Sequence, residues 1–156
     1  ILIADEPIAA LDVSIQSQVL NLLLELQRDI GLTILFISHD LRVVEQLTNR
    51  TAIMYLGNVV EVGETRRIFS QPGHPYTKAL IHSIPRLDKD DGARLEVLEG
   101  EVPSLYNVPE GCPFHTRCAF KSERCVREKP QLTNSPDGSR QLACHHPVTE
   151  SVGKGG

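Results

Sequence analysis

No apolar run in these 156 residues approaches the roughly 18–20 needed to cross a bilayer, so the pattern contains no candidate membrane helix. A signal-peptide pattern and an initiating Met are both absent, and the chain is expected to be soluble while still able to dock on a membrane protein. Cysteine is missing before Cys112, nothing points to secretion, and disulfides are not the expectation for the four cysteines that follow. Strong charge is lacking too. The net charge is −4, made of −7 over residues 1–111, +3 over residues 112–147 and a neutral tail. A balance of +3 is too small to argue for nucleic acid as a partner. The charge break at the first cysteine marks a boundary. No internal repeat is present.

What is there begins at once. Ile1-Leu2-Ile3-Ala4 is an apolar run that ends in Asp5-Glu6 and then Pro7. Such a run reads as a buried parallel strand with an acid pair at its C-terminal tip. Asp12 or Ser14 can cap the helix that follows, because a short side-chain oxygen accepts the free N–H groups of a first turn. Ile15, Val19, Leu22, Leu23, Leu26 and Ile30 recur at helical spacing as a core-packing stripe, and Gly31 ends the helix. Thr33–Ile37 is a second buried strand, ending at Ser38-His39-Asp40, and Asp40 can cap a helix over Leu41–Leu47. A strand–helix–strand crossover makes the two strands parallel, with their tips on one edge. His39 is therefore expected on the same edge as Asp5 and Glu6, where open α/β sheets bind ligands.

Further on, Thr51–Leu56 and Val59–Val62 alternate around Gly57-Asn58, a β-hairpin signal. Glu64–Phe69 and Tyr76–Ser83 read as short helices on either side of Gln71-Pro72-Gly73-His74-Pro75, with His74 and Tyr76 fixing the turn between them. Residues 87–100 are charged and read as linker, with a short strand at Leu95–Leu98.

Three of these segments carry a resemblance. Ile1–Pro7 resembles the Walker B strand of ATP-binding cassette (ABC) ATPases, Ala10-Leu11-Asp12 their D-loop, and Ser38-His39-Asp40 their switch-histidine motif. The resemblance implies an α/β fold, the C-terminal part of a P-loop NTPase domain with parallel strands. It implies that Asp5 binds Mg2+ largely through water, that Glu6 is general base or water-orienting group, that His39 contacts the γ-phosphate, and that Asp12 lies at a dimer interface. Ile8 departs from the Thr or Ser usual in the family at that place. Neither a G-x-x-x-x-G-K-[ST] phosphate loop nor an LSGGQ-like signature occurs in these residues, and in the family both lie N-terminal to Walker B. The chain is expected to begin inside a domain, as the C-terminal half of such a subunit, and to be inactive alone.

Cys112, Cys118, Cys125 and Cys144 are separated by five, six and eighteen residues, with no C-x-x-C. Zinc knuckles use that short spacing, whereas wider spacing in a loop-rich segment suits a larger inorganic centre such as an iron–sulfur cluster. His115, His145 and His146 could substitute as ligands, which keeps Zn2+ as the alternative, and unligated thiols are the plain reading. Gln71–Pro85, with Gly111-Cys112-Pro113-Phe114 and Arg117-Cys118, is similar to the C-terminal extension of oligopeptide/dipeptide importer ATPases. Some members of that group carry a [4Fe–4S] cluster there, so the resemblance implies one on the four cysteines.

The expected organisation is an ABC ATPase portion over residues 1–86, a linker over 87–110, a small irregular cysteine extension over 111–147 and a flexible tail over 148–156. The expected function is an ATP-binding and ATP-hydrolysing subunit of a di- or oligopeptide importer. Its partners would be ATP, a second ATPase subunit and membrane permease subunits, and its place the cytoplasmic face of the inner membrane, held peripherally. The alternatives are a non-transport ABC-type ATPase and a metal-stabilised binding module whose acid pair is incidental.

Overall fold

The computed structural model describes residues 1–84 and 100–148, so the strand expected at Leu95–Leu98 and nearly all of the tail lie outside the described residues. The chain divides into two compact units, Ile1–Asn49 and Arg50–Gly156.

The first unit runs β1 (Leu2–Asp5), α1 (Val13–Ile30), β2 (Ile34–Ile37) and α2 (Leu41–Leu47). β1 and β2 pair in parallel, Leu2 opposite Ile34 and Asp5 opposite Ile37. Asp12 and not Ser14 caps α1, accepting a 2.9 Å hydrogen bond from the Ile15 N–H. Gly31 closes the helix in the left-handed region at φ 63°, where a side chain would be strained. Asp40 caps α2 through the N–H groups of Arg42 and Val43. All three termini follow from local chemistry.

Burial departs from the sequence reading. α1 buries none of its residues, and Leu22 and Ile30 of the expected core stripe are exposed. Ile3, Leu35 and Ile37 are exposed as well, and within β1 only Ala4 is buried. The helical and strand periods are correct, but the sheet is two strands wide among the described residues. A helix stripe is buried only where there is a surface for it to pack on.

The second unit opens with β3 (Arg50–Tyr55) and β4 (Asn58–Glu64), an antiparallel hairpin. The turn falls on Leu56-Gly57, one residue earlier than expected, with φ of 45° and 71°. Asn58 opens β4 and its amide donates to the Leu56 carbonyl at 2.7 Å. Two short helices follow, α3 (Thr65–Ser70) and α4 (Pro75–His82), the second capped by the His74 ring, which accepts from the Tyr76 N–H. Beyond them come a 3₁₀ turn (His115–Arg117), α5 (Glu123–Arg127), β5 (Thr133–Asn134) and β6 (Arg140–Leu142). The expectation of an irregular extension needs revision. β6 pairs with β4, and the sheet order is β3-β4-β6-β5, so the extension completes the sheet begun by the hairpin. Strands of two and three residues are too short to show a period in sequence.

Glu61 holds this arrangement together. It is fully buried on β4 and accepts from the Gly73 N–H at 2.9 Å, the His74 N–H at 3.0 Å and Arg140 Nη1 at 3.0 Å. Arg140 also donates to the Gln71 carbonyl. A buried carboxylate is tolerated only when paired and hydrogen-bonded, and here one group ties a turn and a distant strand to the sheet. Phe114 is the apolar counterpart. Its ring lies 5.3 Å from Tyr55, edge-on, 5.4 Å from Tyr76 and 5.7 Å from His74. Gly111, at φ 69°, lets the chain lie against α5; a Cβ there would meet the Cys125 carbonyl at 2.4 Å.

His74 is buried in this aromatic group, and burial pushes its pKa down to about 4. The unfolded chain takes up a proton near pH 6.5 and the folded chain does not until about pH 4. Folding stability should therefore be fully present above the ordinary histidine pKa and fall by about 3 kcal/mol as pH drops through this window. His74→Asn keeps a cap and removes the titration. Urea unfolding of the two proteins at pH 7 and pH 4.5 should show a smaller loss in the variant, and equal losses would refute the assignment.

Candidate functional site

The parallel register places the ends of β1 and β2 side by side. Beyond the last paired residues, the Glu6 N–H donates to the Ile37 carbonyl at 2.9 Å. Glu6 itself lies at φ 46°, a region that a non-glycine residue seldom occupies and that costs on the order of 1–3 kcal/mol. This turn sends the carboxylate across to the neighbouring strand tip. Glu6 Oε1 accepts from the His39 N–H at 3.0 Å and lies 2.9 Å from His39 Nδ1. Its other oxygen, Oε2, is buried and has no hydrogen-bond partner among the described residues.

Asp5, at the end of β1, is exposed, as is the His39 ring. Three of the four expected nucleotide-site residues thus share one edge. Asp12 stands apart in role, because its carboxylate is occupied in capping α1. A residue not singled out in the sequence organises the loop between them. Gln16 Nε2 donates to the Ile8 carbonyl at 3.2 Å and to the Leu11 carbonyl at 3.1 Å. Ile8 is buried there, so apolar packing and the Gln16 amide hold the loop. A polar residue one turn into a capped helix is the only trace of this in the sequence.

The electrostatics follow from the pair. The hydrogen bond to Glu6 raises the His39 pKa most, the Glu6 charge adds to it, and Asp40 contributes less. The ring is solvent-exposed, so this is a titration shift without large consequence for stability.

The cysteines lie in the second unit, none of them in a disulfide. Cys112 and Cys125 are buried, Cys118 and Cys144 partly so, and the Cys112 N–H donates to the Cys125 carbonyl at 2.8 Å. Burial raises the Cys112 and Cys118 thiols, and pushes Cys144 up to about 12. The charges of the other three cysteines raise Cys144 further. Even so, no group of three or more His, Cys, Asp or Glu side chains among the described residues could hold a metal ion as placed. The candidate substitute ligands are engaged elsewhere. His115 Nδ1 lies 2.8 Å from the Cys112 carbonyl, His145 Nε2 3.0 Å from the Glu128 carbonyl, and His146 Nε2 2.7 Å from Ser122 Oγ.

The Glu6–His39 contact makes a direct prediction. The stabilisation it brings is present below the ordinary histidine pKa and lost as pH rises through the raised value. In an NMR titration, His39 should show a midpoint above that of an unperturbed histidine, falling toward the ordinary value in Glu6→Gln. An unchanged midpoint in the variant would mean that the contact is absent in solution.

Comparison with known proteins shows what the chain is similar to. Residues 60–125 match the model of the oligopeptide/dipeptide transporter C-terminal region. The chain is 53% identical over 146 residues to the "Probable peptide ABC transporter ATP-binding protein y4tS" of Sinorhizobium fredii, covering 93% of this chain and 41% of the relative. It is 47% identical over 146 residues to the dipeptide transport ATP-binding protein DppF of Haemophilus influenzae, covering 94% of this chain and 44% of the relative. The oligopeptide transport ATP-binding protein OppF of the same organism is 46% identical over 145 residues, with 92% and 43% covered. The chain thus spans less than half the length of the curated relatives it matches. Over most of its length the chain is similar to part of proteins named as peptide-transport ATP-binding proteins of the ABC type, and residues 60–125 match the transporter C-terminal region.

Proposed function

We propose that this chain supplies the catalytic edge of an ATPase subunit that drives di- or oligopeptide import. The observation that carries the reading is the Glu6 carboxylate held by both the backbone N–H and the ring of His39. Phosphoryl transfer needs placed charges and an oriented water more than covalent chemistry. Glu6 is the general base or water-orienting group. His39 orients that carboxylate and contacts the γ-phosphate. Asp5, exposed beside them, is placed to bind Mg2+ through water, and Mg2+ when bound supplies charge neutralisation on the phosphates. Asp12 and the Gln16-braced loop face a second ATPase subunit. Permease subunits in the membrane are the further partners, with this subunit held peripherally on the cytoplasmic face. No helix among the described residues is long and apolar enough to cross a membrane.

The extension carries a second reading, an iron–sulfur cluster on Cys112, Cys118, Cys125 and Cys144, with a structural role. What supports it is the chemistry of the donors. The Cys144 sulfur accepts from the His146 N–H at 3.4 Å, and Ser122 Oγ lies 3.6 Å from the Cys125 sulfur. Such bonds favour thiolate over thiol. No group of three or more His, Cys, Asp or Glu side chains among the described residues could hold a metal ion as placed, so the reading rests on the number and spacing of the cysteines. When bound, the cluster would offset part of the negative charge of the buried thiolates.

The ATPase reading is tested by Glu6→Gln in this chain joined to the N-terminal part of a relative that carries a phosphate loop. The amide keeps the size and one acceptor oxygen and loses the basicity. ATP binding should persist while turnover falls at least about 100-fold. Turnover close to that of the parent, with binding intact, would remove Glu6 from the chemistry.

A further inference from the structure

The loop between β1 and α1 is built from two linked turns. The Ala9 N–H donates to the Glu6 carbonyl at 3.3 Å, and the Leu11 N–H donates to the Ile8 carbonyl at 3.1 Å. Ile8 belongs to both turns. Gln16 Nε2 donates to the Ile8 carbonyl at 3.2 Å and to the Leu11 carbonyl at 3.1 Å, so both protons of one amide group are used on this loop. Helical side chains lean toward the N-terminus, which lets a first-turn residue reach back over the loop before it. Gln16 is half-buried there, while residues 12–15 and 17–18 are exposed. At the other end of the loop stands Glu6, at φ 46° and followed by Pro7, whose ring disfavours compact backbone in the residue before it. Such a conformation persists where its surroundings over-determine it. On one side Glu6 is held by its N–H on the Ile37 carbonyl, and on the other by the loop.

We propose that Gln16 is the positioning residue that keeps the Glu6 carboxylate on His39, acting through the loop between them; what that carboxylate then does rests on the ATPase reading above. The two amide bonds hold Ile8 and Leu11. The first turn carries that hold to the Glu6 carbonyl, and the Glu6 backbone aims its side chain at the His39 N–H, which it meets at 3.0 Å. Removing the two donors frees the loop. Glu6 then relaxes toward extended backbone and its carboxylate leaves His39, while β1, β2 and α1 keep their own hydrogen bonds.

The test is amide hydrogen exchange, read by NMR on the 156-residue chain. In Gln16→Glu, which keeps the size and loses both donors, the His39 N–H should exchange about tenfold faster. The Leu2 and Glu6 N–H groups, held at 2.9 Å by the Thr33 and Ile37 carbonyls, should not change. Gln16→Arg, which keeps donors at this place, should hold His39 exchange near that of the parent. A weakened helix would give the opposite order, because a carboxylate is favoured and a guanidinium disfavoured in a first turn. Glu6→Ala should remove the His39 protection, and adding Gln16→Glu to it should change nothing further. Three results would each overturn the inference: unchanged His39 exchange in Gln16→Glu, faster exchange of Leu2 and Glu6 along with His39, or Gln16→Arg behaving as Gln16→Glu does. None of these measurements uses ATP. Full turnover in Glu6→Gln would remove the ATPase reading and leave Gln16 in its positioning role.

Discussion

The hydrogen bond from the Glu6 N–H to the Ile37 carbonyl closes the β1–β2 ladder at the Asp5–Ile37 pair, and the arrangement of the sheet edge depends on it. Parallel strands deliver their tips to one edge, but they do not by themselves point two side chains at each other. That requires Glu6 to leave the strand at positive φ, with its N–H still anchored, so that its carboxylate crosses to the backbone and ring of His39. The strain at Glu6 is of the size offset by a charge-assisted hydrogen bond or two.

The second unit solves a different problem. Its extension is poor in long apolar runs, and it is held by a few specific groups. Glu61 accepts three hydrogen bonds from Gly73, His74 and Arg140, joining residues far apart in the chain to one strand. Phe114 places one buried ring against three others. The cysteines follow directly on these anchors, with Cys112 two residues before Phe114 and Cys144 two residues beyond the end of β6. The geometry of the thiol group is therefore inherited from the sheet and the aromatic contacts.

How far the structure was legible in the sequence depended on the range of the cause. Asp12, Gly31 and Asp40 act within three or four residues, and their capping roles could be read from local chemistry. So could the parallel crossover, because a helix of that length leaves one handed solution. The convergence of Glu6 and His39 on one edge followed from it, while the positive φ that brings them into contact did not. The exposure of the α1 stripe was not legible, since periodicity reports which face is apolar and not whether anything covers it. Glu61 reads as an ordinary strand charge, for its cation lies 79 residues away. The pairing of β6 with β4 was hidden for the same reason. The cysteine spacing gives no sign that Ser122 Oγ lies between the Cys125 sulfur and His146 Nε2.

The central claim is that Glu6 and His39 act as one unit at the edge of the parallel pair. A double-mutant cycle measures that directly. ATP turnover would be compared among Glu6→Gln, His39→Ala and the double variant, in the chain joined to a relative's phosphate-loop portion. If the two side chains act through each other, the double variant should lose little more than the more damaged single variant, a strongly non-additive result. Losses that multiply, as for independent sites, would contradict the account.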